Sequence, residues 1–374
     1  MSFLHRHIFS LLDSLPKEEK YAFIVKKRTT LNGNLLAMLE FLLKQNKKIV
    51  LYKHGKCVSH IKNYYKNKIK IYENSLNLYD LATSKYVFIS HSPYDGYILN
   101  KHKDRKIINL WHGVPFKKIG LEIPNIPQKK LIKTKKEASL IDILISSSQK
   151  DREIMASSFG IDINKIKITG LPRYEFLKNN FEITKYIENY IKTIKTNKYL
   201  VLYAPTLREK HPDPLDQLTK KELEYIDSFA NKNNFIFAFR SHYYEEHHFL
   251  EKIKNFKNLI LLNHKEFFET NTILKYTDLL VSDFSSIWID YLLLNKPILG
   301  FAKDFKHFIE NERGFFYNFE ETFPDKFLYN IKELMQEIKN NLGTKKTYNK
   351  QLKLFHQFNL DTDFSNNVYK TLFE

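Results

Sequence analysis

The sequence predicts an α/β protein built from two doubly wound, Rossmann-like domains facing across a cleft. Three observations predict it. Short apolar, β-rich runs alternate with helical patterns along the whole chain. The alternation runs through each half in turn, as parallel sheets joined by crossover helices require. The length, 374 residues, exceeds one ordinary core and suits two of roughly 150–200 residues.

In the first half the strand patterns are Tyr21–Val25, Lys48–Tyr52, Ile69–Tyr72, Tyr86–Ser90, Lys106–Trp111 and Ile141–Ser146. Between the first two, Leu35, Leu36, Met38, Leu39, Leu42 and Leu43 recur at helical spacing, behind the turn-forming Asn32-Gly33-Asn34. The second half repeats the scheme, with strands at Tyr199–Tyr203, Phe235–Phe239, Leu259–Leu262, Asp278–Val281 and Pro297–Phe301. Helical patterns separate them at Lys220–Ala230, Glu245–Ile253, Phe267–Tyr276 and Ser286–Leu294. A polar helical stretch from Lys178 to Lys198 marks the break, which divides the chain into domains 1–185 and 186–345. Residues 346–374 are expected to form helices that pack back across both.

Sixty Lys+Arg against 42 Asp+Glu give a net charge of +18. Such a balance suits a polyanionic partner: nucleic acid, an anionic membrane face or a phosphate-bearing substrate. The competing source is compositional, because Lys, Asn, Ile, Phe and Tyr are all abundant, as A+T-rich coding produces. Cys57 is the only cysteine, which excludes a disulfide framework and a cysteine-based zinc site and fits a reducing compartment. No signal-peptide pattern and no bilayer-length apolar run is present. A cytoplasmic protein able to rest on a membrane surface is expected.

Parallel sheets place ligands beyond the carboxyl ends of their strands, so polar residues there are the ones to weigh. His112 in "NLWHGVPFKKIG" ends a strand, with Gly113 and Pro115 shaping the turn; it is a general-base candidate or a histidine bonded to a loop carbonyl. Lys117 and Lys118 follow, either as phosphate ligands or as solvated charge. In "TGLPRYEFL", Gly170 and Pro172 bend the backbone before Arg173, whose planar fork suits a phosphate, a carboxylate or an interdomain salt bridge. Thr206 and Arg208 stand just past the strand broken by Pro205, and Arg240 and His242 leave the next one. His242 is placed to donate to a phosphoryl oxygen or leaving group, whereas His247 and His248 lie further into the helix. These histidines are only a weak signal of a metal site; no cofactor is expected, and the metal requirement stays open. In "VSDFSSIWIDYLLLNKPILGF", Ser285 and Ser286 fall at a helix N-terminus, where unpaired amides, the helix dipole and two hydroxyls make an anion seat. Asp290 is four residues on, on the same helical face; Asp283 or Ser282 is a candidate cap.

With these segments in order, the chain resembles the CDP-glycerol glycerophosphotransferase family, the enzymes of teichoic acid and related capsule assembly. The resemblance runs from Trp111 to about Phe319 on "WHGVPFKKIG", "TGLPRYEFL", "LYAPTLRE", "FRSHY", "SDFSSIWIDYLLLNKPILGF" and "ERGFFYNF". It implies a GT-B-like fold, with residues 1–185 on the acceptor side and 186–345 binding a CDP-glycerol or CDP-ribitol donor. His112 becomes the base that activates an acceptor hydroxyl. Arg208, His242, Ser285 and Ser286 become the holders of the pyrophosphate with Thr206 beside them, Asp290 the contact to the polyol, and Arg313 a further donor contact. Arg173, Lys117 and Lys118 remain phosphate or acceptor ligands. The sequence departs from the family at Val114, Leu207, Tyr243 and Glu175.

The implied acceptor is a lipid-linked or oligosaccharide polyanion at an anionic membrane surface, and the chain reads as the catalytic part alone. The alternative activity is a GT-B glycosyltransferase with a nucleotide-sugar donor. No nucleic acid partner is expected, since the aromatics follow core periodicity and form no base-stacking platform.

Overall fold

Thirteen strands form two wholly parallel sheets in a computed structural model, which describes residues 3–206, 208, 212–240 and 246–373, the side chains of 246–248 excepted. The first sheet contains β1 (Glu18–Val25), β2 (Ile49–Lys53), β3 (Lys70–Glu73), β4 (Ser84–Ile89), β5 (Lys106–Asn109), β6 (Ile143–Ser146) and β7 (Ile166–Ile168). Its order is β3-β2-β1-β4-β5-β6-β7. The second contains β8 (Tyr199–Ala204), β9 (Phe235–Phe239), β10 (Leu259–Leu261), β11 (Leu279–Ser282), β12 (Ile298–Phe301) and β13 (Phe327–Leu328). Its order is β10-β9-β8-β11-β12-β13.

Both orders are that of the doubly wound fold, in which the winding reverses once. The reversal lies between β1 and β4 in the first sheet and between β8 and β11 in the second. All eleven expected strands are present. Their near-continuous apolar runs are what strands buried on both faces require: β9 (FIFAF) and β11 (LLVS) are buried at every position. Two strands lie outside the expected set, β7 and the two-residue β13.

The chain divides into two units, which differ from the expected domains. One comprises residues 1–114, 119–176 and 356–374, and the other residues 115–118 and 177–355. Residues 115–118 join the second unit because they pair there: Lys117 bridges Phe315 in antiparallel fashion, and the Lys118 amide donates to the Gly314 carbonyl at 2.9 Å. Phe116, buried, has its ring 5.2 Å from those of both Trp288 and Phe315. Residues 356–374 join the first unit through the helix Phe364–Lys370, whose Phe364 amide donates to the buried Glu175 carboxylate at 2.8 Å. A Cβ at Gly170, where φ is +70°, would lie 2.4 Å from the Phe364 ring. Only glycine lets that turn and that helix meet.

Within the first unit the helix Gly33–Lys44 buries Leu35, Leu36, Met38, Leu39 and Leu42. In the second, the helix Lys220–Lys232 opens on a capping box between Thr219 and Glu222 and buries Leu223, Ile226 and Ala230. The expected helix Ser286–Leu294 is a five-residue α-helix, Ile287–Tyr291, continued by a 3-10 turn, Leu292–Leu294. Among the described residues no helix is long and apolar enough to cross a membrane.

Candidate active site

In the first unit the polar residues gather past the ends of β4 and β5. Asn109, the last residue of β5, accepts the Trp111 amide at 2.9 Å and donates to the His91 carbonyl at 3.0 Å. Trp111 adopts φ +50°, a conformation a bulky residue takes only when its surroundings enforce it. The enforcing group is Asn34, buried in the first turn of its helix, which donates to the Leu110 and Trp111 carbonyls at 2.7 and 3.2 Å. Its amide oxygen accepts the Arg173 N–H at 3.0 Å. One asparagine thus ties the β5 turn to the Gly-x-Pro-Arg turn.

His112 projects from this frame. Its Nδ1 lies 3.0 Å from the Ser90 carbonyl oxygen. A carbonyl only accepts, so Nδ1 carries the proton and Nε2 keeps a lone pair. The residue is exposed to solvent yet set deep among protein atoms. That burial, opposed by the Ser90 hydrogen bond and reinforced by the charges of Arg173 and Lys26, pushes its pKa down to about 4. At neutral pH the ring is therefore uncharged and basic at Nε2. Of the two alternatives in the sequence, the carbonyl bond is present, and it leaves the Nε2 lone pair that a general base needs. Arg173 directs Nη1 to the His112 carbonyl at 2.6 Å, fixing the turn from below. Gly113 (φ +153°) makes room for it, since a Cβ there would approach the guanidinium to 3.1 Å.

Neither Asn34 nor Asp151 was read as a site residue in the sequence. Asn34 looked like turn and cap chemistry only. Asp151 is 2% exposed; it accepts the Ser147 amide at 2.7 Å through Oδ2, and Oδ1 finds no hydrogen-bond partner among the described residues. Burial, opposed by that amide and by Arg173, pushes its pKa up to about 7. No periodicity marks either residue.

In the second unit the seat forms at the ends of β8 and β11. Their register pairs Ser282 with Ala204, which brings Asp283 beside Thr206. Asp283 is wholly buried and gathers three donors: the Thr206 amide at 2.8 Å, the Ser285 amide at 3.2 Å and Arg208 Nη1 at 2.8 Å. Asp283 therefore organises the turn, beyond the simple cap expected of it. Ser285 and Ser286 are half-buried at the entrance, and Ser286 makes no side-chain cap bond among the described residues. The Thr206 hydroxyl is buried with no protein partner among the described residues. With only five α-helical residues behind it, the seat relies on local amides and hydroxyls more than on a macrodipole.

Arg208 and Asp290 sit differently from the expectation. The Arg208 guanidinium binds both Asp304 oxygens at 2.7 and 2.9 Å, Asp283 at 2.8 Å and the Thr206 carbonyl at 2.8 Å. It also lies over the Phe284 and Phe308 rings. Paired and enclosed, it braces the seat from behind. Asp290 is 2% exposed, enclosed by protein instead of presented at the turn. Lys117 is the cation brought forward: half-buried, with its pKa lowered to about 8 by burial, by Arg313 and by Arg208 against the pull of Asp283 and Glu312. Lys118 flanks it, its side chain beside Gly314. His242 lies outside the described residues, as do Leu207 and Tyr243; the side chains of His247 and His248 are not described either. Arg240, buried at the end of β9, donates to the Leu262 carbonyl at 3.0 Å and the Thr270 hydroxyl at 2.9 Å.

Two wholly parallel sheets, each in doubly wound order and each carrying polar side chains at its carboxyl ends, define a GT-B-like α/β protein. The solved structures agree. The wall teichoic acid polymerase TagF superposes with a TM-score of 0.77 at 21% identity, covering 99% of this chain and 92% of that one. The UDP-GlcNAc 2-epimerase of Neisseria meningitidis superposes at 0.56 and 14% identity, covering 95% of this chain and 99% of the other. The chain belongs to the CDP-Glycerol:Poly(glycerophosphate) glycerophosphotransferase family, whose model matches residues 7–374. It is 27% identical over 338 residues to the teichoic acid poly(ribitol-phosphate) polymerase of Bacillus spizizenii, covering 86% of this chain and 51% of the relative. It is 29% identical over 290 residues to that organism's teichoic acid poly(glycerol phosphate) polymerase, covering 73% of this chain and 70% of the relative. To the Staphylococcus aureus ribitol-phosphate polymerase TarK it is 27% identical over 357 residues, covering 91% and 66% respectively. The chain thus spans about half to two thirds of the length of several relatives it matches.

Proposed function

We propose that the chain transfers a polyol phosphate from a CDP-activated donor, CDP-glycerol or CDP-ribitol, to a hydroxyl of a lipid- or saccharide-linked acceptor. CMP is released, and the product is a teichoic acid-like or capsule polymer assembled at the cytoplasmic face of the membrane. The observation that carries the reading is the tautomer of His112. With Nδ1–H committed to Ser90, Nε2 is ready to take a proton from an incoming hydroxyl.

In the proposed step the acceptor oxygen bonds to the phosphorus that bears the polyol, and its proton passes to His112 Nε2. The anhydride bond breaks, and its electron pair leaves with CMP. Phosphoryl transfer asks a protein mainly for position and charge neutralisation. The Ser285 and Ser286 hydroxyls, the Thr206 hydroxyl and Lys117 supply donors for the pyrophosphate, with Arg313 beside them. Arg208 acts through Asp283, holding those donors in place. Lys118 follows Lys117 as a further phosphate donor, and Arg173 braces the turn that carries His112. His242 keeps its sequence-based assignment to the leaving group.

Incubation with CDP-glycerol, CDP-ribitol and nucleotide-sugars, each with a defined lipid or saccharide acceptor, tests the reading. CMP release from one CDP-polyol alone is expected. Release of another nucleotide from a nucleotide-sugar would replace the reading with glycosyl transfer. His112→Ala is expected to lower kcat by about 10²–10⁴ while CDP-polyol still binds by calorimetry. Undiminished turnover would remove the base.

A further inference from the structure

His91 was not singled out in the sequence, yet its ring stacks nearly parallel on that of His112. It follows β4, a strand of the β1/β4 reversal, where doubly wound sheets bind their ligands. Ile89 pairs with Asn109 across β4 and β5, so the chain leaves both strands at the same level. The unusual turn at Trp111 then brings the His112 ring flat against that of His91. Their centroids are 4.5 Å apart and their planes differ by 13°. Trp111 lies 4.2 Å from the His112 ring at 35°.

His91 is itself held. Its Nδ1 pairs with the Ser90 hydroxyl at 2.9 Å, and its carbonyl accepts the Asn109 amide at 3.0 Å. The dipeptide Ser90-His91 therefore meets His112 twice, once through the Ser90 carbonyl at the ring edge and once through an imidazole at the ring face. An edge bond alone leaves the ring free to swing about the axis through that bond. A flat partner removes the swing. Burial, the neighbouring His112 and Lys26 push the His91 pKa down to about 3, so the partner is uncharged and adds no repulsion when His112 takes up a proton.

We propose that His91 is a positioning residue for His112: its ring fixes the plane of the His112 imidazole, keeps Nδ1–H on the Ser90 carbonyl and so aims the Nε2 lone pair at the acceptor hydroxyl. The inference rests on His112 serving as the base, and its test separates the two. In the ¹⁵N-labelled full chain, long-range ¹H–¹⁵N correlation reports the tautomer of each imidazole, and the signal lost in His112→Ala identifies His112. The Nδ1–H form is expected in the native chain and in His91→Phe, which keeps a flat ring, and a mixture of tautomers in His91→Ala and His91→Gln. CMP release is expected to fall about 10–100-fold in kcat for the Ala and Gln variants, at unchanged KM for the CDP-polyol. His91→Phe should restore most of it, and neither loss should add to that of His112→Ala. A single Nδ1–H tautomer and native kcat in a folded His91→Ala or His91→Gln chain would overturn the proposal. So would a His91→Phe variant as impaired as they are. Turnover that survives His112→Ala would overturn the base while leaving the tautomer spectra to judge His91.

Discussion

The two turns that carry the candidate chemistry are built from opposite materials. The β5 turn is framed by neutral amides, Asn34 and Asn109, and its imidazoles stack without charge. The β8 and β11 turns are framed by buried charge, with one arginine between two aspartates. Each turn also spends an arginine on protein: Arg173 on a backbone carbonyl, Arg208 on carboxylates. The difference teaches what each site must hold still. In the proposed role of His112 as a base, a carboxylate beside it would raise its pKa, and amides with Arg173 brace it instead. In the proposed anion seat, Arg208 offsets part of the charge of two buried aspartates and leaves hydroxyls and amides as the donors on offer.

The largest effect should come from breaking the charged frame. Arg208→Met removes the guanidinium bound to the buried Asp283 and Asp304 and is expected to cost about 3–5 kcal/mol in urea unfolding. Arg173→Met removes the charge-assisted bond to the His112 carbonyl and should cost about 1.5–3 kcal/mol. Equal losses would erase the contrast. A smaller effect sharpens it: Ser285→Ala with Ser286→Ala should weaken CDP-polyol binding about tenfold or more by calorimetry while the melting temperature stays put. A melting shift without an affinity change would make those serines structural. The smallest effect concerns Lys117. Its ammonium is charged below about 8 and neutral above it, so CDP-polyol affinity should fall as pH rises through 8. Lys117→Met should abolish that dependence and bind at every pH as the native chain does at its alkaline limit.

Strand positions were legible because buried strands are continuous apolar runs, and no polar face obscured them. β7 and β13 were not: a lysine interrupts the first (IKI) and the second is two residues long, whereas the equally short β10 (LIL) is a continuous apolar run. Among candidate site residues, His112, Thr206, Ser285 and Ser286 could be singled out in the sequence because each lies just beyond a strand's carboxyl end. The partners of Arg208 were not, since Asp304 lies 96 residues away along the chain and only the sheet order brings it near. Asn34, His91 and Asp151 escaped for the same reason: their significance lies in what the fold sets against them. The grouping of residues 115–118 with the second unit was not legible, because a four-residue segment carries no periodicity of its own.

The first unit is discontinuous, and that has a consequence during synthesis. Its Gly170–Arg173 turn is completed by the helix Phe364–Lys370, which a ribosome delivers only after all of the second unit. Nascent chains fold from the N-terminus as they emerge, so the second unit can consolidate first while the bracing of His112 waits. A chain interrupted after residue 355 would emerge with its strands paired but the turn that carries His112 unsecured. Translation itself thus delays that turn until the segment following the second unit has been made.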